Sequence, residues 1–175
     1  LTNNETLTVG TALAGSGGLT QGINATLNIG GASTITTLTA SNSGNIVNFS
    51  GANQSVNVSS YYNLTISGSG NKTMAGNTSV DGTLSLNAST LTVGNRTLTL
   101  NGPTIAGMPE NLTTTAASSL TFGGTSPGVL IPASVVALNN LSITNTNIVA
   151  LQSSLTISGT FNPGVGGLSI GANTL

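Results

Sequence analysis

Five side chains in 175 residues carry charge, Glu5, Lys72, Asp81, Arg96 and Glu110, and the chain has no histidine, cysteine or tryptophan. That inventory bounds the chemistry at once. Hydrolysis of a glycosidic bond by paired carboxylates needs two acids about 5–10 Å apart. Asp81 would have to find Glu5 or Glu110, both distant along the chain. A serine nucleophile needs an activating base, and without histidine none is evident; Gly68-Ser69-Gly70 reads as a corner, not a nucleophile elbow. A metal ion would depend on isolated carboxylates, and the Asp-bearing glycine nonapeptide of calcium-binding β-rolls is missing. Asp81 precedes Gly82, so an Asp-Gly turn accounts for it without chemistry. The five charges are read as solvated or paired at the surface. No catalytic, metal-ligating or cofactor-binding residue is assigned, and the chain is expected not to be an enzyme.

The elements that would have to position any site are equally sparse in type. Charged residues make up 3% of the chain, against about 25% in an average soluble protein. Serine, threonine, asparagine and glycine stand in their place. Disordered chains combine few β-branched residues with high net charge, whereas this one is rich in Thr, Val and Ile at a formal charge of -1, so folded β structure is expected. So few charges give no field to steer nucleic acid or anionic lipid. No apolar run approaches the ~18 residues of a spanning helix. The sequence opens at Leu1 without an initiator Met or a signal peptide and is read as a mature or excised segment. With no cysteine there is no disulfide framework, and stability is expected to come from backbone pairing and packed aliphatic files.

The chain repeats itself. Asn63-Leu64-Thr65-Ile66 matches Asn140-Leu141-Ser142-Ile143, Asp81-Gly82-Thr83-Leu84 matches Ser158-Gly159-Thr160-Phe161, and Leu91-Thr92-Val93-Gly94 matches Leu168-Ser169-Ile170-Gly171, all at an offset of 77. One all-β repeat domain over 1–175 is expected, with a partial unit at 1–26 and units at 27–97 and 98–175. Within the units Leu84, Leu91, Leu98, Ile105 and Leu112 lie seven apart, as do Leu141, Ile148 and Leu155 and, again, Leu168 and Leu175. A coiled coil shares that period but needs helix formers and charged flanks. Here the segments alternate apolar and polar, as in Leu7-Thr8-Val9-Gly10 and Leu98-Thr99-Leu100, which describes half-buried strands. Strands so closely spaced suit a β-solenoid better than a sandwich. Three strand-and-corner segments make a coil of about 21 residues, giving roughly eight coils stacked at about 4.8 Å into a rod about 40 Å long. Gly15-Ser16-Gly17-Gly18, Gly68-Ser69-Gly70-Asn71 and Gly123-Gly124 are the expected corners.

Three polar patterns bear on function. Asn-X-Ser/Thr sequons occur at Asn4, Asn24, Asn48, Asn53, Asn57, Asn63, Asn71, Asn77, Asn87, Asn95, Asn111 and Asn140, twelve in all, where chance predicts about six from the composition. They are candidate glycosylation sites of an extracellular protein; strand alternation also sets polar residues two apart without any glycan. Outward pairs such as Thr6 with Thr8 and Thr97 with Thr99 raise an ice-binding reading, although threonine is also the best polar strand former. Tyr61-Tyr62 is the one aromatic pair that could offer a glycan platform.

The phrases Tyr62-Asn63-Leu64-Thr65-Ile66-Ser67-Gly68-Ser69-Gly70, Gly82-Thr83-Leu84-Ser85-Leu86 and Leu91-Thr92-Val93-Gly94 resemble the degenerate repeats of long extracellular prokaryotic surface proteins, adhesin-like chains with right-handed β-helices. The resemblance implies a cell-surface or extracellular role and carries over no catalytic residue. A second resemblance, to charge-poor, sequon-rich subunits of archaeal surface threads and pili, implies the alternative fold, a β-sandwich joined by donor-strand exchange. The leading expectation is a secreted structural subunit that polymerises with itself through open strand edges, its assembly ends carrying Leu1, Leu7, Val9, Leu168, Ile170 and Leu175. A cell-surface adhesin that binds glycans or other cells is the alternative, and ice binding the third.

Overall fold

Alternation of apolar and polar residues over runs of three or four, interrupted by Gly, Asn and Ser, leaves the backbone one economical way to bury its apolar side. It winds into a helix of short strands. A computed structural model describes residues 1–175 as an all-β parallel β-solenoid of about 8 turns and roughly 20 residues per turn. Every strand pairing is parallel, and the single departure from strand and turn is a one-turn 3-10 helix at Pro109–Asn111. The β-sandwich alternative is excluded by that topology.

Three faces make up the middle of the rod. Face one stacks six strands, Thr6–Val9, Thr26–Ile29, Ile46–Phe49, Asn63–Ile66, Leu84–Leu86 and Ala106–Gly107. Face two stacks Gln54–Val56, Asn71–Met74, Thr90–Thr92 and Leu112–Thr113, and face three stacks Ser60–Tyr61, Thr78–Val80, Thr97–Leu100, Ser119–Phe122, Asn140–Ile143 and Phe161–Asn162. The first coils replace faces two and three with one sheet of long strands, Leu13–Gln21 and Ser33–Thr39, joined by Thr2–Asn3. In the last coils Val129–Ile131, Val149–Leu151 and Leu168–Ser169 form a further three-stranded sheet, with Ala137–Leu138 and Thr156–Ile157 beside it.

Stacking sets like on like. On face one the inward files run Leu7, Leu27, Val47, Leu64, Leu84 and Val9, Ile29, Phe49, Ile66, Leu86. On face three they run Leu98, Leu120, Leu141, Phe161 and Tyr61, Val80, Leu100, Phe122, Ile143. Thirty-one buried residues form one continuous cluster, so the core is a cable of aliphatic files with no second centre. Phe49 and Tyr61 meet edge to face inside it, with ring centroids 6.3 Å apart. Corner geometry obeys the same stacking. Asn24 and Gly44, twenty residues apart, both adopt positive φ, 58° and 73°, at a turn where an ordinary side chain would be strained.

The seven-residue period holds where it was clearest. Leu84, Leu91, Leu98, Ile105 and Leu112 are all buried and occupy faces one, two, three, one and two in turn. It fails at Ile148, which is 61% exposed while Val149 takes the inward place. The preceding corner explains this: Asn145 turns inward, its Oδ1 accepting from the Asn147 N–H at 2.8 Å, which shifts the alternation by one residue. Gly15–Gly18, expected at a corner, lies inside the long strand Leu13–Gln21, where the ladder to Ser33–Thr39 changes register. The extra residue lies in that strand, Ser16 and Gly17 facing Thr36 alone, and makes a bulge, so the glycines bend a sheet and do not end it.

The 77-residue repeat does not correspond to a whole number of coils. Asn63–Ile66 stands on face one and its match Asn140–Ile143 on face three. The local device survives the change of face: Asn63 Oδ1 accepts from Thr83 N–H, and Asn140 Oδ1 from Thr160 N–H, each at 2.8 Å. The repeated module is a strand with its corner, which fits any face.

Substitution inside a file and beside it separates packing from surface propensity. Leu64→Ala is expected to lower unfolding free energy by about 2–5 kcal/mol, and its outward neighbour Thr65→Ala by no more than about 0.5 kcal/mol, measured by urea denaturation followed by circular dichroism.

Candidate functional site: a buried lysine at the first corner and the polar outer files

Where face one turns into face two, the backbone carbonyls of successive corners point inward and need donors. The sequence supplies them from the inward file of face two, which begins Gln54, Lys72, Leu91, Leu112. Lys72 is wholly buried. Its Nζ donates to the carbonyls of Gly51 (2.7 Å), Ser67 (2.7 Å) and Ser69 (2.8 Å) and to Ser89 Oγ (3.2 Å). Gln54 Nε2 donates to Ile29 O and Gly31 O at 2.8 and 2.6 Å, and its Oε1 accepts from Gly51 N–H at 2.8 Å. Ser89 Oγ donates in turn to Ser67 O at 2.9 Å. Burial pushes the Lys72 ammonium below the usual lysine value.

This overturns the expectation that all five charges sit at the surface. Alternation placed Lys72 inward, between Asn71 and Thr73, and that signal was in the sequence. What concealed its meaning was the absence of a carboxylate partner, since the acceptors are backbone carbonyls that no residue type announces. Asp81 is exposed and accepts from Asn101 Nδ2 at 2.8 Å, while Glu5, Arg96 and Glu110 are exposed.

Tyr61 and Tyr62 do not form an aromatic platform. Tyr61 is fully buried, its Oη accepting from Val58 N–H at 3.2 Å, and burial holds its phenol well above the ordinary value, the Val58 bond opposing this. Adjacent strand residues point to opposite sides, so the pair is split between core and surface.

The twelve sequon asparagines fall into two sets. Asn48, Asn53, Asn57, Asn63, Asn71, Asn77, Asn111 and Asn140 spend their amides on hydrogen bonds between coils. Asn71 Oδ1 alone accepts from the hydroxyls of Thr90 and Thr92, both at 2.8 Å. Asn4, Asn24, Asn87 and Asn95 are exposed at corners and carry none of these bonds. On face two the outer files run Asn53, Asn71, Thr90 and Ser55, Thr73, Thr92, and Asn53, Gln54, Ser55, Asn71 and Thr73 line a shallow polar hollow of about 480 Å³. On face three Ser60, Ser79, Thr99, Thr121 and Ser142 form an outward hydroxyl file.

Of the expected assembly ends, Leu1 is 89% exposed and Leu175 50% exposed. Leu7, Val9 and Leu168 are half-buried against the last fully covered residues of the core, and Ile170 is exposed. No helix is long and apolar enough to cross a membrane, and no cluster of three or more acidic side chains suited to a metal is present. Comparison with family models, curated proteins and solved structures found no match.

Two outcomes follow from this geometry. Because the folded chain holds the Lys72 proton more weakly than the unfolded chain, the unfolded state binds more protons between the lowered value and 10.5, so stability rises with pH across that window. Tyr61 acts oppositely above its ordinary value of 10.0, where only the unfolded chain ionises. Thermal unfolding in the wild type should therefore shift upward on approaching pH 10 and fall beyond it, and Lys72→Met should abolish the rise. Separately, folded protein offered to an oligosaccharyltransferase with a lipid-linked donor should acquire glycan at Asn4, Asn24, Asn87 and Asn95 and not at Asn63 or Asn140, as read by glycopeptide mapping.

Proposed function

We propose that the protein is a non-enzymatic structural subunit of an extracellular filament or surface fibre, growing by addition of one solenoid to the strand edges of the next. The observation that carries this reading is the state of the core at the outermost coils. In the middle of the rod file members such as Leu27, Leu64 and Leu98 are fully buried, whereas Leu7, Val9 and Leu13 at one end and Ile157, Phe161 and Leu168 at the other are only partly buried, as are Ile35, Leu38 and Val58 where the long-stranded sheet gives way to faces two and three. Leu7, Val9, Ile157, Phe161 and Leu168 lie in strands that pair on one edge alone, among them Thr6–Val9 on face one and Phe161–Asn162 on face three, while the Leu13 end of Leu13–Gln21 pairs only with Ser33–Thr39. A free parallel edge above an open apolar file is a template for one more coil. The two ends differ in sequence and in shape, so the contact joins unlike surfaces and propagates as an open polymer where the rotation does not close.

A chain almost without charge lacks the usual protection of strand edges against association, and threonine, serine and asparagine files suit a surface that faces its own kind. An extracellular setting accords with the sequons exposed at corners, Asn4, Asn24, Asn87 and Asn95, where glycans would supply the solubility that charge does not. The polar hollow on face two favours a second reading, glycan adhesion, though without an aromatic side chain in its lining.

Concentrated protein examined by negative-stain electron microscopy and sedimentation velocity should show fibres with an axial repeat near the length of one rod. Replacing Val9 and Phe161 by Lys at the two edges should leave the β-sheet spectrum intact and reduce the polymer to monomer. A monodisperse monomer from the wild type at high concentration would sink the proposal.

A further inference from the structure

Apolar files stabilise a solenoid without telling one register from the next. Leu27, Val47, Leu64 and Leu84 follow one another on face one, and a slip of two residues between neighbouring coils returns apolar side chains to the core and polar ones to water. Thr73 pairs with Thr92, and Lys72 with Leu91; moving the later strand by two sets Lys72 opposite Ser89 or Val93, both of them inward residues. Alternation is satisfied in all three arrangements, so some other interaction must select among them.

The geometry points to the polar file Gln54, Lys72 and Ser89 as a register lock that specifies which coil pairs with which along residues 29–92. The chain contains one lysine, and its ammonium touches three successive corners: Gly51 in the coil before, Ser67 and Ser69 in its own, and Ser89 in the coil after. Gln54 extends the same device one corner further back, to Ile29 and Gly31. A two-residue slip carries Ser89 about 6.6 Å along the strand direction, away from both the ammonium and the Ser67 carbonyl it serves. A slip on the other side withdraws Gly51. Either leaves buried donors or carbonyls without partners, a penalty that falls on the wrong register alone. A buried polar group that specifies register at some expense of stability is known from coiled coils, and stacked strands pose the same problem. The lock is independent of whether the rod polymerises.

Cysteine pairs in the full chain, which has no cysteine of its own, read the register directly. Thr73→Cys with Thr92→Cys joins native neighbours. Thr73→Cys with Thr90→Cys, and Asn71→Cys with Thr92→Cys, join positions about 8 Å apart in the native ladder, too far for a disulfide unless the coils slip. With Lys72 present, oxidation after refolding should close only the native pair. In the Lys72→Met background the off-register pairs should close at severalfold higher yield, while Leu91→Ala, the next residue in the same file, should lower stability and leave the cross-links native. A Lys72→Met chain that still closes only the native pair overturns the lock. Should Lys72→Met give no β-sheet spectrum, the same pairs are read in Ser89→Ala, where increased off-register closure supports the lock and native-only closure overturns it.

Discussion

Each strand residue inside the stack sits about 4.8 Å from its counterparts in the neighbouring coils, and that spacing constrains everything else. A side chain that stacks well on its own kind is favoured at each outward position, and one that repels its own kind is excluded. Threonine, serine and asparagine pass; lysine, arginine, aspartate and glutamate repeated at strand spacing would repel. The near absence of charge is thus a consequence of the stack. The outward files bear this out, with Asn48 Nδ2 donating to Asn28 Oδ1 at 3.0 Å and Ser67 Oγ donating back to Asn48 Oδ1 at 2.8 Å.

The same constraint turns inward at the corners. A coil of roughly 20 residues cannot turn three times without pointing some carbonyls at the core, and water does not reach them. Gln54, Lys72 and Ser89 answer at one corner; Asn42 and Asn45 answer at another, where the Gln21 carbonyl accepts from Asn42 Nδ2 at 2.6 Å and Asn45 Nδ2 at 3.4 Å. The interior is therefore a set of apolar files edged by polar ones. Apolar files supply the bulk of the cohesion, and the polar files carry positional information, because a hydrogen bond has a definite partner and a methyl group does not.

Stacking also shapes the flanks of the molecule. They carry outward files of hydroxyls and amides, Ser55, Thr73 and Thr92 on face two and Ser79, Thr99 and Thr121 on face three. Its faces are interchangeable to the extent that a strand-and-corner module recurs on face one at Asn63 and on face three at Asn140, performing the same Asn-to-backbone bond in both places.

The sequence by itself determined the architecture: alternation over short runs, corners of Gly and Asn, and the seven-residue recurrence of Leu and Ile led to a stacked parallel solenoid of about eight coils, because those patterns are local and the stack is made of local units. Tertiary structure decided what depends on partners distant in sequence. It turned Ile148 outward in favour of Val149, made a bulge of Gly15–Gly18, separated Tyr61 from Tyr62, and divided the sequons into bonded and free. Above all it assigned Lys72. Its inward direction was readable from alternation, but its four oxygen partners come from three coils and three of them are backbone atoms. Backbone carbonyls are the same in every residue, so no inspection of residue types could have found that cage before the coils were stacked.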